Sequence, residues 1–446
     1  TPRICLELGA MLGKDGDTSE LIALCEEAGI GRDEEGGAAA VVASVVDALE
    51  RARYVVLDHG TLRFAHAMLR ESMTRLAAEA GRLQSHHRLI ARVLSRAADR
   101  EQARDVEERR ARHLLAAGDL DVALPLLLSS ASLALSTAGS LRAVSLVDEA
   151  FGALDREGVS ETDARRLWAI ALRARALADA GRYAESGMSA RLVRDDAPAH
   201  ARVEAWRALA LSALRQGNLE DAVARYEQLL SWVEGLGAGD DIGFDKDDAF
   251  DDALLGLADG HYYSGQLAQA GAVLVRALER AQQRTDGGAD DAIALCLWSA
   301  AYVSLWRGDL GAARDQLLRQ QAVARKAGLK VLAALGRNAL GDVERLAGRF
   351  DDASAHYDEA MRQLRQAGSG KVRVVELNRA LCAVETDVRD AVARAEALLP
   401  EAERAGEKVL IALLHGILAV GAGSDGDWSA ADAHLAVFSQ PVQTGL

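Results

Sequence analysis

The chain has 446 residues, half of them apolar, with 52 Lys and Arg against 67 Asp and Glu and a net charge of −15. That length makes two to four domains' worth of folded body, and the charge excludes the basic face on which a nucleic-acid binder depends. Cys5, Cys25, Cys296 and Cys382 form no CxxC pair and are read as reduced, buried thiols rather than a metal knot or disulfide framework.

No run of 18 apolar residues occurs, so no membrane helix is expected. The start lacks a basic stretch followed by an apolar one, so no secretory signal is read and a cytoplasmic location is expected. The chain opens without Met inside a helical pattern, which reads as a piece cut from a longer protein. Ala, Leu, Arg, Glu and Asp dominate, and period-2 runs of β-branched residues are scarce, so the expected class is all-α.

Residues 1–13, 18–29 and 38–53 carry helical periodicity. YVVLDHGTLRF then reads as two short strands around a tight turn at His59-Gly60, and AHAMLRESMTRLAAEAG as a further helix. Three helices and a hairpin suggest a winged-helix domain over 1–85, with connecting helices over 86–116. Within it, RFAHAMLRESM at 63–73 resembles the winged-helix part of the STAND signalling ATPases, and HHRLIARVL at 86–94 resembles the helix that follows in bacterial relatives. That group includes apoptosome and plant immune-receptor ATPases and bacterial transcription activators. The resemblance implies a sensing role for His66, because the family His touches the β-phosphate of bound ADP and holds the protein off. Ala67 stands where the family usually has Asp, so the match is partial. The other reading is that His66 caps or packs the helix with Leu69 and Met73.

From residue 117 a short pattern recurs: small or polar residue, Gly, polar residue, apolar or aromatic residue, then Ala three positions on. It reads AGDLDVA at 117, AGRYAES at 180, QGNLEDA at 216, SGQLAQA at 264, RGDLGAA at 307, AGRFDDA at 347 and DGDWSAA at 425, with weaker copies AGSLRAV at 138 and ETDVRDA at 385. Gly ends one helix by taking the left-handed conformation, and the small residue lets the next helix approach closely. A single helix pair cannot bury its own apolar face, so the pairs must stack. The copy at 203–230, VEAWRALALSALRQGNLEDAVARYEQLL, resembles the tetratricopeptide (TPR) repeat. Trp206, Leu209, Ala210, Gly217, Leu219, Ala222 and Tyr226 fall on the family pattern, whose terminal Pro is missing here. The resemblance implies a right-handed TPR-like superhelix over 117–446, with longer repeats than the family's usual length.

The longest interval holds GLGAGDDIGFDKDDAFDD at 235–252, which reads as a mobile acidic loop. It lacks the D-x-D-x-D-G…E spacing of a calcium loop. GAMLGKDG at 9 and RQAGSGKV at 365 miss the spacing of a phosphate-binding loop, and no GxSxG, HExxH or catalytic cluster is present. The chain is therefore expected to hold no metal and no cofactor and to be no enzyme, with ATP or ADP confined to a longer parent.

In CLWSAAYVSLWRGDLGAA, residues 296–313, the residues Trp298, Tyr302 and Trp306 stack four apart on one helix face. Counted back from the turn glycine, they occupy positions that line the concave groove in the TPR family. Leu297, Ala300 and Ala301 take the packing positions instead. Tyr263, beside Tyr262, Arg207, Leu211 and Arg215 take groove positions in earlier repeats, and Asn338, Asp342 and Leu346 in the next. Two readings stand: an aromatic-centred groove, or rings that fill space between neighbouring pairs. The function expected is the protein- or peptide-binding sensor arm of a STAND-type ATPase or kinase-linked regulator. A small molecule or sugar also suits stacked rings, and such proteins can oligomerise on activation. The alternative is a stand-alone TPR scaffold.

Overall fold

The structure is a computed structural model and describes residues 2–13, 15–98, 104–136, 139–236, 245–367, 369, 371–405 and 408–439. It falls into two compact units, Thr1–Ala201 and Arg202–Leu446. Among the described residues there are twenty-two helices and three short strands, so the chain is all-α apart from one small sheet.

The first unit begins with α1 (Pro2–Met11), β1 (Asp15–Asp17), α2 (Thr18–Glu27), α3 (Gly37–Arg51), β2 (Val55–Asp58), β3 (Thr61–Phe64), α4 (Ala67–Glu79) and α5 (Leu83–Ala98). His59 and Gly60 both have positive φ, 48° and 85°. That is the type I′ hairpin turn whose twist matches the strands. β2 pairs antiparallel with β3 from Val55↔Phe64 to Asp58↔Thr61. β1, which has no sequence signature of a strand, pairs with the other edge of β3. Val55, Leu62 and Phe64 turn inward onto a core of Leu8, Leu21, Leu24 and Val42. Ile90 and Leu94 of α5 join that core, so α5 packs with the elements before it. Glu7 is buried in this unit. Arg82 donates to both its carboxylate oxygens, at 3.0 and 2.7 Å, with His86 at 3.0 Å and Arg3 at 3.0 Å. Arg82 above all holds the carboxyl down at about 2 against burial. All four cysteines are buried and unpaired.

The unit continues with α6 (Arg104–Ala116), α7 (Leu120–Ser136), α8 (Ser140–Arg156), α9 (Ala164–Asp179) and α10 (Tyr183–Ala190). The second unit holds α11 (Ala199–Arg215, its first residues in the first unit), α12 (Leu219–Gly235), α13 (Lys246–Tyr263), α14 (Leu267–Gln283), α15 (Ala289–Trp306), α16 (Leu310–Lys326), α17 (Lys330–Leu346) and α18 (Phe350–Gln366). α19 (Val372–Val384), α20 (Val388–Ala405), α21 (Lys408–Ser424) and α22 (Trp428–Phe438) complete it. From α12 onward each helix packs on the next in sequence, and α13, α15, α17, α19 and α21 also pack side by side. These odd-numbered helices are the first members of TPR-like pairs and form one layer of the unit.

The turn chemistry explains why the pairs form. Gly118, Gly181, Gly217, Gly265, Gly308, Gly348 and Gly426 all have φ between 73° and 82°. At Gly308 the amide bonds Leu305 O at 2.9 Å and the next amide bonds Ser304 O at 3.0 Å, the Schellman ending of a helix. The weaker copies hold no left-handed residue at the key position: Gly139 has φ −92°, and Thr386 is not among the positive-φ residues. The 21-residue gap from Gly118 to Gly139 is one helix and one turn. Gly118 joins α6 to α7, half a repeat out of phase with the rest.

The alanine after each turn is a contact point. Ala222, Ala270, Ala313, Ala353 and Ala391 are wholly buried, and Ser186 takes the place in the Gly181 copy, donating to Ala174 O at 2.8 Å. Glycines in the first helices allow still closer approach. A Cβ at Gly341 would lie 2.5 Å from the Tyr357 ring, and one at Gly256 would lie 2.2 Å from the Tyr226 ring.

The acidic stretch 235–252 is not a loop throughout. Residues 237–244 lie outside the described residues, but α13 already begins at Lys246. The Asp245 carboxylate accepts from the amides of Asp247 and Asp248 and caps the helix. Arg284, just after α14, pairs with Asp248 and Asp251, and Arg280 of α14 pairs with Asp247. These pairings neutralise acids that the local sequence presents as a solvated run.

Substitutions separate the two uses of glycine. Gly308→Ala meets no neighbour but must hold φ 78°, costing about 1–2 kcal/mol, and Gly308→Asn costs less because Asn tolerates that conformation. Gly341→Ala overpacks Tyr357 and costs about 1–3 kcal/mol, and Gly341→Asn costs more. Urea midpoints of the four variants check this opposite ranking of Ala and Asn.

Candidate functional site

The first helices of the second unit bring most of the sequence-selected residues onto one layer. Spacing of four puts Asp259 and Tyr263 on one face of α13, Trp298, Tyr302 and Trp306 on one face of α15, and Asn338, Asp342 and Leu346 on one face of α17. Cross-links join successive helices. Tyr262 meets Trp306 edge-to-face with centroids 6.0 Å apart. The Tyr302 hydroxyl donates to Asp342 Oδ2 at 3.2 Å. The Asn378 amide on α19 donates to Asn338 Oδ1 at 3.0 Å. Asp342 also accepts from the Tyr357 hydroxyl of α18 at 2.8 Å. Burial raises the Asp342 carboxyl above its ordinary value, and the two phenols oppose that rise.

The aromatic stripe divides along its length. Trp298 and Tyr302 are half-buried, in edge contact at 5.0 Å, and lean on Ala301, Leu305, Leu317, Leu340 and Val343. The Trp298 indole N–H is buried and has no acceptor among the described residues. Trp306, one turn beyond Tyr302, is 70% exposed, and Tyr263 is 52% exposed. Tyr262 lies half-buried between them, 5.1 Å from Tyr263. Leu346 is exposed and Leu211 half-buried.

The expected basic side is reduced. Arg207 has only 12% of its side chain exposed and pairs with Glu204 at 2.7 Å and Asp252 at 3.0 Å, so it links α11 to α13 instead of facing a ligand. Arg215 is exposed. Asn338 and Asp342 are buried and hold helices together; they do not present a polar edge. Sequence reasoning missed Asp259, whose carboxyl burial pushes up to about 6 against the pull of Arg215. Its spacing of four from Tyr263 was the available signal.

His66 belongs to the first unit. It is the residue before α4, extended at φ −133°, with its side chain exposed and making no cap hydrogen bond. Leu69 and Met73 of α4 pack on the N-terminal core without it. Gly9 of the first phosphate-loop decoy is a buried residue of α1 against Leu21 and Leu62. Among the described residues, no group of three or more His, Cys, Asp or Glu could hold a metal ion, and no helix is long and apolar enough to cross a membrane.

No family model matches the chain, and no curated protein matches it. Solved structures do. A signal transduction ATPase with numerous domains (STAND) with a tetratricopeptide repeat sensor, from Pyrococcus horikoshii, is similar over 99% of this chain at 13% identity with a TM-score of 0.59. The chain spans 63% of that protein's length. A Rap protein complexed with competence and sporulation factor is similar over 77% of this chain and 98% of its own, at 12% identity and a TM-score of 0.51. At such identities the likeness establishes the fold: a TPR-like helical repeat.

Two outcomes test the geometry. Trp306→Ala is expected to change stability by no more than about 0.5 kcal/mol, whereas Leu297→Ala, at a buried position, costs about 2–5 kcal/mol. Trp298→Phe removes an unsatisfied donor and costs less than Leu297→Ala. Denaturation curves decide. The second outcome is a pH dependence. The folded carboxyl of Asp259 is raised from 3.8 to about 6, so the wild type loses stability as pH climbs through that window. Asp259→Asn has no such loss. Its stability relative to wild type should rise by about 1–3 kcal/mol between pH 4 and pH 7, and a pH-independent difference contradicts the assignment.

Proposed function

We propose that this chain is the sensor and protein-binding arm of a STAND-type signalling ATPase, itself non-catalytic, and that its partner docks on the exposed edge formed by Tyr263 and Trp306. One observation carries the reading. On a layer whose other aromatic residues are packed between helices, Trp306 of the stripe stands out into solvent beside a second exposed ring, Tyr263. Trp and Tyr concentrate binding energy at interfaces.

Three things support the wider setting. The fold likeness to the STAND protein with a TPR sensor extends over nearly the whole chain. The Rap protein of the same fold is complexed with competence and sporulation factor, so this architecture serves recognition in that protein. The helix–strand–helix–helix–hairpin order before residue 66, with sheet order β1-β3-β2, suits the winged-helix reading carried by RFAHAMLRESM. In this reading an exposed His66 meets nucleotide only against an ATPase domain, and ligand binding shifts a population between off and on states that includes assembled forms. A protein or peptide is the partner, and the location is the cytoplasm.

A photo-crosslinking residue at position 306 or 263 should capture a discrete partner in cells, and one at Leu318, exposed on the second helix α16, should not. Equal capture at all three positions contradicts the docking face. The isolated chain should bind neither ATP nor ADP in calorimetry, and micromolar binding would overturn the role given to His66.

A further inference from the structure

The exposed edge has a chemical bias. Tyr262 packs edge-on to Tyr263 (5.1 Å, 78°) and to Trp306 (6.0 Å, 89°), which fixes the two exposed rings at the rim of the layer. The face of an aromatic ring is the negative end of its quadrupole and attracts cations. Two carboxylates belong to the same layer. Asp259 is one helical turn from Tyr263 on α13, and Asp342 lies on α17. Burial pushes the Tyr262 phenol up, and the charges of Tyr263, Asp259 and Asp342 add to the rise, so both acids are felt at Tyr262. Asp342 is occupied by two phenols. Asp259 is not comparably compensated: Arg215 draws its carboxyl down by less than burial pushes it up.

The chain uses the matching partner within itself. The Arg280 guanidinium lies 4.0 Å from the centroid of Phe250 while pairing with Asp247 and, at 3.5 Å, with Asp251. Arg202 lies over Trp206 at 6.0 Å and over Trp232 at 5.0 Å. Both are internal cases of a guanidinium on an aromatic face, the first with aspartates at its edge.

We infer that the Trp306–Tyr263 edge recognises an arginine side chain of a partner peptide, its guanidinium stacked on the rings and its N–H groups turned to Asp259. The inference rests on the docking face proposed above and adds the chemistry of what docks there. Arginine fits better than other cations for two reasons. Its guanidinium is planar and weakly hydrated, so it stacks on an open ring face while its edge pairs with a carboxylate. A quaternary ammonium favours a closed aromatic cage, whereas Trp306 is 70% exposed. The net charge of −15 also favours approach of a basic segment.

The probe is a five-residue peptide, acetylated and amidated, with Arg at the centre of four glycines. Its citrulline and trimethyl-lysine analogues keep length and differ in charge or shape. The indole N–H resonances of the isotopically labelled protein are followed during titration at pH 7.5. The Arg peptide should shift the Trp306 resonance saturably in the millimolar range, with the citrulline analogue about tenfold weaker. Asp259→Asn, shown to fold by an unchanged spectrum elsewhere, should weaken the Arg peptide about five- to tenfold and leave the citrulline analogue unaffected. Equal shifts from the Arg and citrulline peptides, an unaltered titration in Asp259→Asn, or no saturable shift would overturn the inference. Tighter binding of trimethyl-lysine would replace the guanidinium with another cation and overturn it too. Capture at position 306 that persists alongside such results leaves the docking face standing and removes only the arginine. Loss of both removes the docking face.

Discussion

The second unit depends on how closely two helices can approach across a glycine turn. A left-handed glycine reverses the chain within two residues and satisfies the last carbonyls of the first helix. A residue no larger than Ala or Ser then sits at the crossing. Ala313 and Ala353 are wholly buried there, and Gly341 lets the Tyr357 ring lie directly on the α17 backbone. No pair so short can bury enough apolar surface alone, so the stack and the pair are one requirement.

That requirement determines where large side chains go. The small residue after the turn leaves no room for them at that point, and Tyr357 enters the α17–α18 crossing only over Gly341; other rings and amides lie between successive first helices. There they form a chain of cross-links, Tyr262 to Trp306, Tyr302 to Asp342, and Asn378 to Asn338. Asp342 is a buried carboxyl with two phenol donors, and a buried polar group is tolerable only when its partners are in place. It therefore fixes how α15, α17 and α18 meet. At the C-terminal ends of α13 and α15 the layer runs out of neighbours. Trp306 and Tyr263 are exposed there, and this is the surface we propose for recognition.

Much of this was legible in the sequence. The seven strong turn copies all prove to hold left-handed glycines, because that pattern states a backbone need directly. The hairpin at His59-Gly60 was legible for the same reason. What stayed hidden depends on distant partners. β1 is Asp15–Asp17, with no strand propensity, and exists because β3 offers an edge. The start of α13 looked like an acidic loop because its counter-charges, Arg280 and Arg284, lie some thirty residues on. Periodicity put Trp298, Tyr302 and Trp306 on one stripe, but it could not say how far the neighbouring helices cover them. Arg207 looked like a groove residue until Glu204 and Asp252 were seen to hold it. The phase of the repeat was also hidden, since Gly118 has the right local chemistry at the wrong half-period.

The division of the stripe is the central claim, and fluorine NMR of the protein grown with 5-fluorotryptophan tests it most directly. The six tryptophans are Trp168, Trp206, Trp232, Trp298, Trp306 and Trp428. Assigned by single substitution, their resonances are compared in H2O and D2O. Trp306 and Trp428, each 70% exposed, should show the large solvent isotope shift of a hydrated ring, and Trp298 a small one. A Trp306 shift as small as that of Trp298 would place the ring inside the stack and contradict the exposed recognition edge.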